Sequence, residues 1–132
     1  MDPVSNRSVV SVVLEWLQLV PRSLSAEELR EWGGFSEFAE SPQWDSAFGP
    51  LNEASVFEIV EQMADINEAL SSAIRVRDRG FDWYIEESDG YHDVESRKVD
   101  RREAEIMVEV FTSRLEVLSG HLGVHFQSTV CW

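Results

Sequence analysis

Cysteine is almost missing from this 132-residue sequence, with Cys131 standing alone. No disulfide can form within the chain, and a reducing cytosol is the compartment that fits. Lysine is equally scarce: Lys98 is set against ten arginines, which reads as a genome-composition bias rather than a mechanism. Between Glu31 and Ile74 there is no lysine or arginine at all, while nine acidic residues occur there. Long apolar runs are absent too. The most apolar stretch, SVVSVVLEWLQLV, is broken by Glu15 and preceded by one positive residue, Arg7. It is shorter than the roughly 20 residues a bilayer requires, so it reads as a core helix rather than a leader or a membrane span. There is no P-loop, no GxGxxG and no nucleophile elbow, and neither internal repeats nor low-complexity tracts occur.

What the sequence has in excess is negative charge. The formal balance is −14, and it is unevenly placed. Residues 1–74 carry three basic groups against thirteen acids, a balance of −10, while residues 75–132 carry eight against twelve, a balance of −4. Such a field repels nucleic acid and anionic membrane and favours a basic protein partner or a cation. An apolar fraction of 43% with five tryptophans supplies a core without disulfide or metal. A length of 132 residues predicts one domain over 1–132, burying roughly two-thirds of its unfolded surface.

The clearest helix signal runs from Ala54 to Gly80. Val56, Ile59, Met63, Ile66, Leu70 and Ala73 recur at spacings of three and four, an amphipathic helix face. Glu61, Asp65 and Glu68 fall on the far side with Glu58 beside them, and no cation lies among them. Their mutual contacts are repulsive by roughly 0.2–0.5 kcal/mol per pair. Ser55 and Glu58 have capping-box spacing, and Asn52 is the other candidate cap. Arg75, Arg77 and Arg79 load the last turn, where the helix dipole favours cations, and Gly80 ends it. Phe57 lies off the apolar stripe, near Glu61.

Around this helix the remaining elements are shorter. Ser5, Asn6 or Ser8 can cap a first helix ending at Pro21, with Val9, Val13, Trp16 and Val20 on one face and Val10, Leu14 and Leu17 on another. A strand is the alternative for so valine-rich a segment. Leu24-Ser25-Ala26-Glu27-Glu28-Leu29 combines a capping box with a hydrophobic staple, opening a short helix that stops at Gly33-Gly34. Residues 35–51 show no sustained periodicity and two prolines, so they read as an ordered connection. Its rings, Phe35, Phe38, Trp44 and Phe48, either seal the core edge or act as anchors among Glu37, Glu40 and Asp45. Phe81, Trp83 and Ile85 alternate with polar neighbours as in a half-buried strand, followed by a turn at Ser88-Asp89-Gly90-Tyr91 and a short return strand YHDV. Asp100 and Glu103 have capping-box spacing at the head of a last helix carrying Ala104, Met107, Phe111, Leu115 and Leu118, expected to stop at Gly120. The alternation of Val124, Phe126, Ser128, Val130 and Trp132 then predicts a C-terminal strand.

Several chemistries fail on inspection. Aligning Gly90 with the glycine of a calcium loop places Ile85 and Ser96 where acids are needed. His121 and His125 have helical spacing with Cys131 beyond, but Gly120 and Gly123 argue against one helix holding both, so no metal or other cofactor is expected. The cations Arg75, Arg77, Arg79, Arg97, Lys98, Arg101 and Arg102 are interleaved with acids, a poor pattern for nucleic acid. No catalytic residue is assigned. The expected fold is mainly α, with three principal helices plus a short one, a minor β-hairpin and a C-terminal strand; α+β is the alternative. The expected function is a non-enzymatic, cytoplasmic, acidic binding protein that occludes a basic protein, in the manner of an immunity protein, an antitoxin or a nucleic-acid mimic. Its expected contact residues are Glu37, Glu40, Trp44, Asp45, Phe57, Glu58, Glu61, Asp65 and Glu68. The alternatives are a helical module that self-associates as a homodimer through the Val9–Val20 helix and, third, a small enzyme.

Overall fold

The computed structural model describes residues 8–20, 23–32, 34–87 and 95–129. In chain order the elements are α1 (Val9–Leu17), α2 (Ala26–Trp32), α3 (Gly34–Ala39), α4 (Pro42–Phe48), α5 (Val56–Arg79), β1 (Tyr84–Glu87), β2 (Glu95–Lys98) and α6 (Arg101–Thr129). A 3-10 turn at Leu51–Glu53 leads into α5. The fold is mainly α with one antiparallel hairpin, in the register Tyr84–Lys98, Ile85–Arg97, Glu86–Ser96 and Glu87–Glu95.

Side-chain caps set the starts of α2, α5 and α6. The Ser55 hydroxyl accepts from the Glu58 amide at 3.1 Å, and the Glu58 carboxylate accepts from the Ser55 amide. Ser25 and Glu28 make the same exchange at 3.1 Å each. At α6 the Asp100 carboxylate accepts from the Glu103 amide at 2.7 Å and Glu103 returns the bond at 3.1 Å. Glu103 is itself buried and also takes the Arg97 guanidinium, which fastens β2 to the start of α6. Each such cap contributes roughly 1 kcal/mol by satisfying amides that no helix bond can reach. Gly80 ends α5 at φ +70°, a left-handed conformation that is strained for any residue with a Cβ.

Long helices α5 and α6 lie against each other and form the body of the molecule. Ile59, Ile66, Ala69, Ala73 and Val76 from α5 meet Ala104, Met107, Val110, Phe111 and Leu118 from α6 in one continuous core. Helix α1 adds Val9, Val12, Val13 and Leu17, with Val20 just beyond it, so most of its apolar surface is already covered within the chain. Val10, Leu14 and Trp16 are half-buried against the same core, whereas Leu19 is exposed. Full burial of each large aliphatic side chain is worth roughly 1.5–3 kcal/mol.

The structure corrects the sequence reading in several places. Residues 35–51 are more than the ordered connection expected of them, because α3 and α4 occupy most of them. Pro42 sits in the first turn of α4, where a missing amide costs nothing. Helix α1 ends at Leu17, short of Pro21, in a tight turn closed by Leu19 and Val20 amides donating to Trp16 and Leu17. A strand at Glu95–Lys98 pairs with the first one, which starts at Tyr84 and leaves Phe81 exposed, while the expected return strand over 91–94 lies outside the described residues. The expected turn at 88–91 lies outside the described residues. Most consequentially, α6 does not stop at Gly120 but runs through Gly120 and Gly123 to Thr129, so no C-terminal strand forms over residues 124–129. A Cβ on either glycine would meet nothing within 4 Å, so neither marks a close approach or a turn.

Candidate functional site

Helix α5 divides sharply by face. Away from its buried stripe Glu61, Asp65 and Glu68 are exposed, as the periodicity predicts, and Glu58 is exposed beside them at the helix start. Among the described residues no lysine or arginine pairs with Glu61, Asp65 or Glu68. Glu58 stands apart, since its carboxylate is already engaged by the Ser55 amide and, at 3.0 Å, the Ser55 hydroxyl. Beside the acids lies apolar surface that sequence reasoning only partly anticipated, with Phe57 74% exposed and Val60 48%, and Val56, assigned to the apolar stripe by its spacing, is 38% exposed at the helix start. The result is an apolar tip at the start of the helix that passes into a row of unpaired carboxylates.

The aromatic residues of the α3–α4 region take the opposite role from anchors. Trp44 is completely buried and Phe38 nearly so. Their rings join a ladder in which Trp16 stacks on Phe38 at 4.4 Å and Trp44 lies 5.6 Å from Phe38 and 6.0 Å from Phe48. Trp44 therefore offers no surface to a partner. Its neighbours do: Glu37, Glu40 and Asp45 are exposed. Glu40 lies beside Glu116, with Ser36 and Ser113, along a groove of about 340 Å³ between α3 and α6, so Glu116 joins the acidic surface without having been foreseen.

Arg114 is the residue that holds these parts together, and sequence reading passed over it. It is 2% exposed on α6, and its guanidinium lies 4.8 Å from the centre of the Trp44 ring. Nε donates to Gln62 Oε1 at 2.9 Å and Nη1 to the Ala39 carbonyl at 2.8 Å. One side chain thus joins α5, the end of α3 and the aromatic ladder of α4. Gln62 follows Glu61, and Ala39 precedes Glu40, so the clamp sets the backbone that carries two of the acids. Burial pushes the Arg114 pKa down to about 10, and the charge of Asp45 acts against that shift. It remains a cation at neutral pH. Nη2 has no hydrogen-bond partner among the described residues, and neither do Trp44 Nε1 and Ser41 Oγ.

Other candidates resolve differently. Gly120 and Gly123 do not keep His121 and His125 off one helix, since α6 continues through both positions. Even so, among the described residues no group of three or more His, Cys, Asp or Glu could hold a metal ion. Arg77 is committed to Asp78 through bonds of 2.7 and 3.1 Å, which raise the arginine pKa and lower that of the acid. None of the helices among the described residues is long and apolar enough to cross a membrane. Comparison with known proteins gives no match: no protein family, no curated protein and no solved structure corresponds to this chain.

Proposed function

We propose that this protein is a non-enzymatic binding protein that occludes a basic protein partner with the exposed face of α5. The observation that carries this reading is the row Glu61, Asp65 and Glu68, exposed and without cations, beside the apolar tip of Phe57 and Val60. A protein that grips phosphates presents lysines and arginines, and carboxylates fixed on a rigid helix match that surface while steering rapid association. Phe57 supplies a large apolar group of the kind that anchors interfaces within a polar rim. An immunity protein, an antitoxin or a nucleic-acid mimic has this requirement. Glu37, Glu40, Asp45 and Glu116 extend the negative field on α3, α4 and α6. Homodimerisation through the Val9–Val20 helix draws less support, because most of that helix is spent on the core.

The test is capture at low salt followed by measurement on the purified partner. The wild-type chain and a Glu61→Lys, Glu68→Lys variant are immobilised and exposed to lysate. A basic protein should be retained by the wild type, released as salt rises, and lost on the variant. Its association rate should then fall steeply on charge reversal while its salt dependence flattens. Retention of the same protein by both surfaces, or of no basic protein by either, would overturn the reading.

A further inference from the structure

The far end of α5 carries a site of opposite character. A groove of about 350 Å³ opens between the last turns of the helix and the chain that leads into β1, lined by Ser72, Arg75, Val76, Phe81, Asp82 and Trp83. Arg75 is exposed and pairs with no carboxylate among the described residues. Its own contacts are long ones, from Nε to the Ser71 carbonyl at 3.4 Å and from Nη2 to the Ser72 hydroxyl at 3.5 Å, which leaves the guanidinium donors available. Asp82, the one acid of the groove, is neutralised by Lys98 at 2.7 Å. The net local charge is therefore positive, in a chain whose balance is −14.

The walls add a second requirement. Phe81 is 57% exposed and Trp83 half-buried, so two aromatic side chains border the same space above the buried Val76. Flat apolar surface beside one forked cation is complementary to a flat ring bearing one carboxylate. The volume lies at the lower end of the range for small-molecule sites, enough for one or two rings and too small for a dinucleotide. We propose that this groove binds a small aromatic carboxylate, with the carboxylate on Arg75 and the ring against Phe81 and Trp83. Of the acidic row only Glu68 comes near, one turn before Ser72 and two turns before Arg75 on the same helix. The negative end of the α5 dipole lies one turn beyond Arg75 and opposes an anion, so binding is weak, in about the millimolar range.

The experiment uses the full chain and three probes: 1-naphthoate, the uncharged 1-naphthalenemethanol and inorganic phosphate. Binding is read from the indole N–H and backbone amide signals of residues 72–83 in two-dimensional NMR. Naphthoate should shift these signals saturably and the other two probes much more weakly. Arg75→Gln should weaken naphthoate binding about tenfold or more, and Phe81→Ala severalfold, with helix content unchanged by circular dichroism. Glu61→Lys, about four turns before Arg75, should leave it within about twofold, which keeps this result separate from the fate of the acidic face. Equal binding of the alcohol would reduce the groove to an apolar crevice, and equal binding of phosphate would reduce it to a charge. Saturable binding that survives Arg75→Gln, or no shifts at 10 mM naphthoate (about ten times the expected constant), would overturn the assignment.

Discussion

Arg114 shows how much one residue can decide. A buried cation with two hydrogen bonds, an aromatic face and one unpaired donor holds three elements at a fixed geometry, yet it adds a desolvation cost. These two roles separate by mutation. Arg114→Met keeps most of the volume and removes the charge and the unpaired donor, and half-buried Gln62 can turn to water, but the buried Ala39 carbonyl loses its donor. Urea unfolding should find it about 1–2 kcal/mol less stable than wild type. Arg114→Ala leaves a cavity against Trp44 and should cost about 2–4 kcal/mol. If the Met variant were as damaged as the Ala variant, the hydrogen bonds rather than the packing would hold α3 to α5. Glycines give a second contrast at this scale. Gly120 is helical and its Cβ direction is open, so Gly120→Ala should stabilise by about 0.5–1 kcal/mol. Gly80 sits at φ +70°, so Gly80→Ala should destabilise by about 1 kcal/mol in the same measurement.

Among the elements, α5 carries its charge at a cost to itself. Glu58–Glu61, Glu61–Asp65 and Asp65–Glu68 are like-charge pairs at helical spacing, each unfavourable by roughly 0.2–0.5 kcal/mol. Exchanging Glu61 and Glu68 for lysine turns all three into attractive pairs, and thermal unfolding should show a gain on the order of 1 kcal/mol. Glu58 must be left in place, because its carboxylate closes the cap with Ser55; Glu58→Lys should cost about 1 kcal/mol instead. A helix stabilised by the same change that abolishes partner binding is one whose surface is charged for recognition. An unchanged or lower melting temperature in the double variant would remove the claim that this row is strained.

Legibility from sequence also differed by element. Helix α5 was readable to its ends because stripe, capping box and terminal glycine all agree on it. Helices α3 and α4, of six and seven residues, are too short to show a period, and Pro42 read as a breaker when it is a first-turn residue. The far end of α6 was lost because two glycines and an alternating tail outweighed a weaker sign. Leu122 follows Leu118 at helical spacing and is packed against the core, which carries the stripe past Gly120. The acids of the candidate site were legible as exposed positions, since polar residues opposite an apolar stripe face water. Trp44 was not legible, because an aromatic residue in a loop-like segment reads equally as seal or anchor. Arg114 left only the trace of a single charge three residues from Phe111 and four from Leu118, on the stripe itself.

For the molecule as a whole the largest electrostatic effect is self-repulsion. Twenty-five acids face eleven lysines and arginines, and the exposed ion pairs, such as Arg30–Glu109 and Lys98–Asp82, are of a kind that contributes little. Added salt screens both effects, but repulsion is the larger, so the sign of the response is determined. Raising sodium chloride from 10 to 300 mM shortens the screening length from about 30 Å to about 6 Å and should raise the melting temperature of the free protein. A chain held by surface ion pairs would respond the other way. In the Glu61→Lys, Glu68→Lys variant each reversal removes one negative charge and adds one positive, so the formal balance moves from −14 to −10. Its melting temperature should start higher at low salt and rise less with addition. The same salt would weaken steering toward the proposed basic partner, so stability of the free protein and association rate should move in opposite directions across one titration. If the variant keeps the full salt dependence of the wild type, the repulsion is spread over all the acids and the α5 row contributes no special share of it.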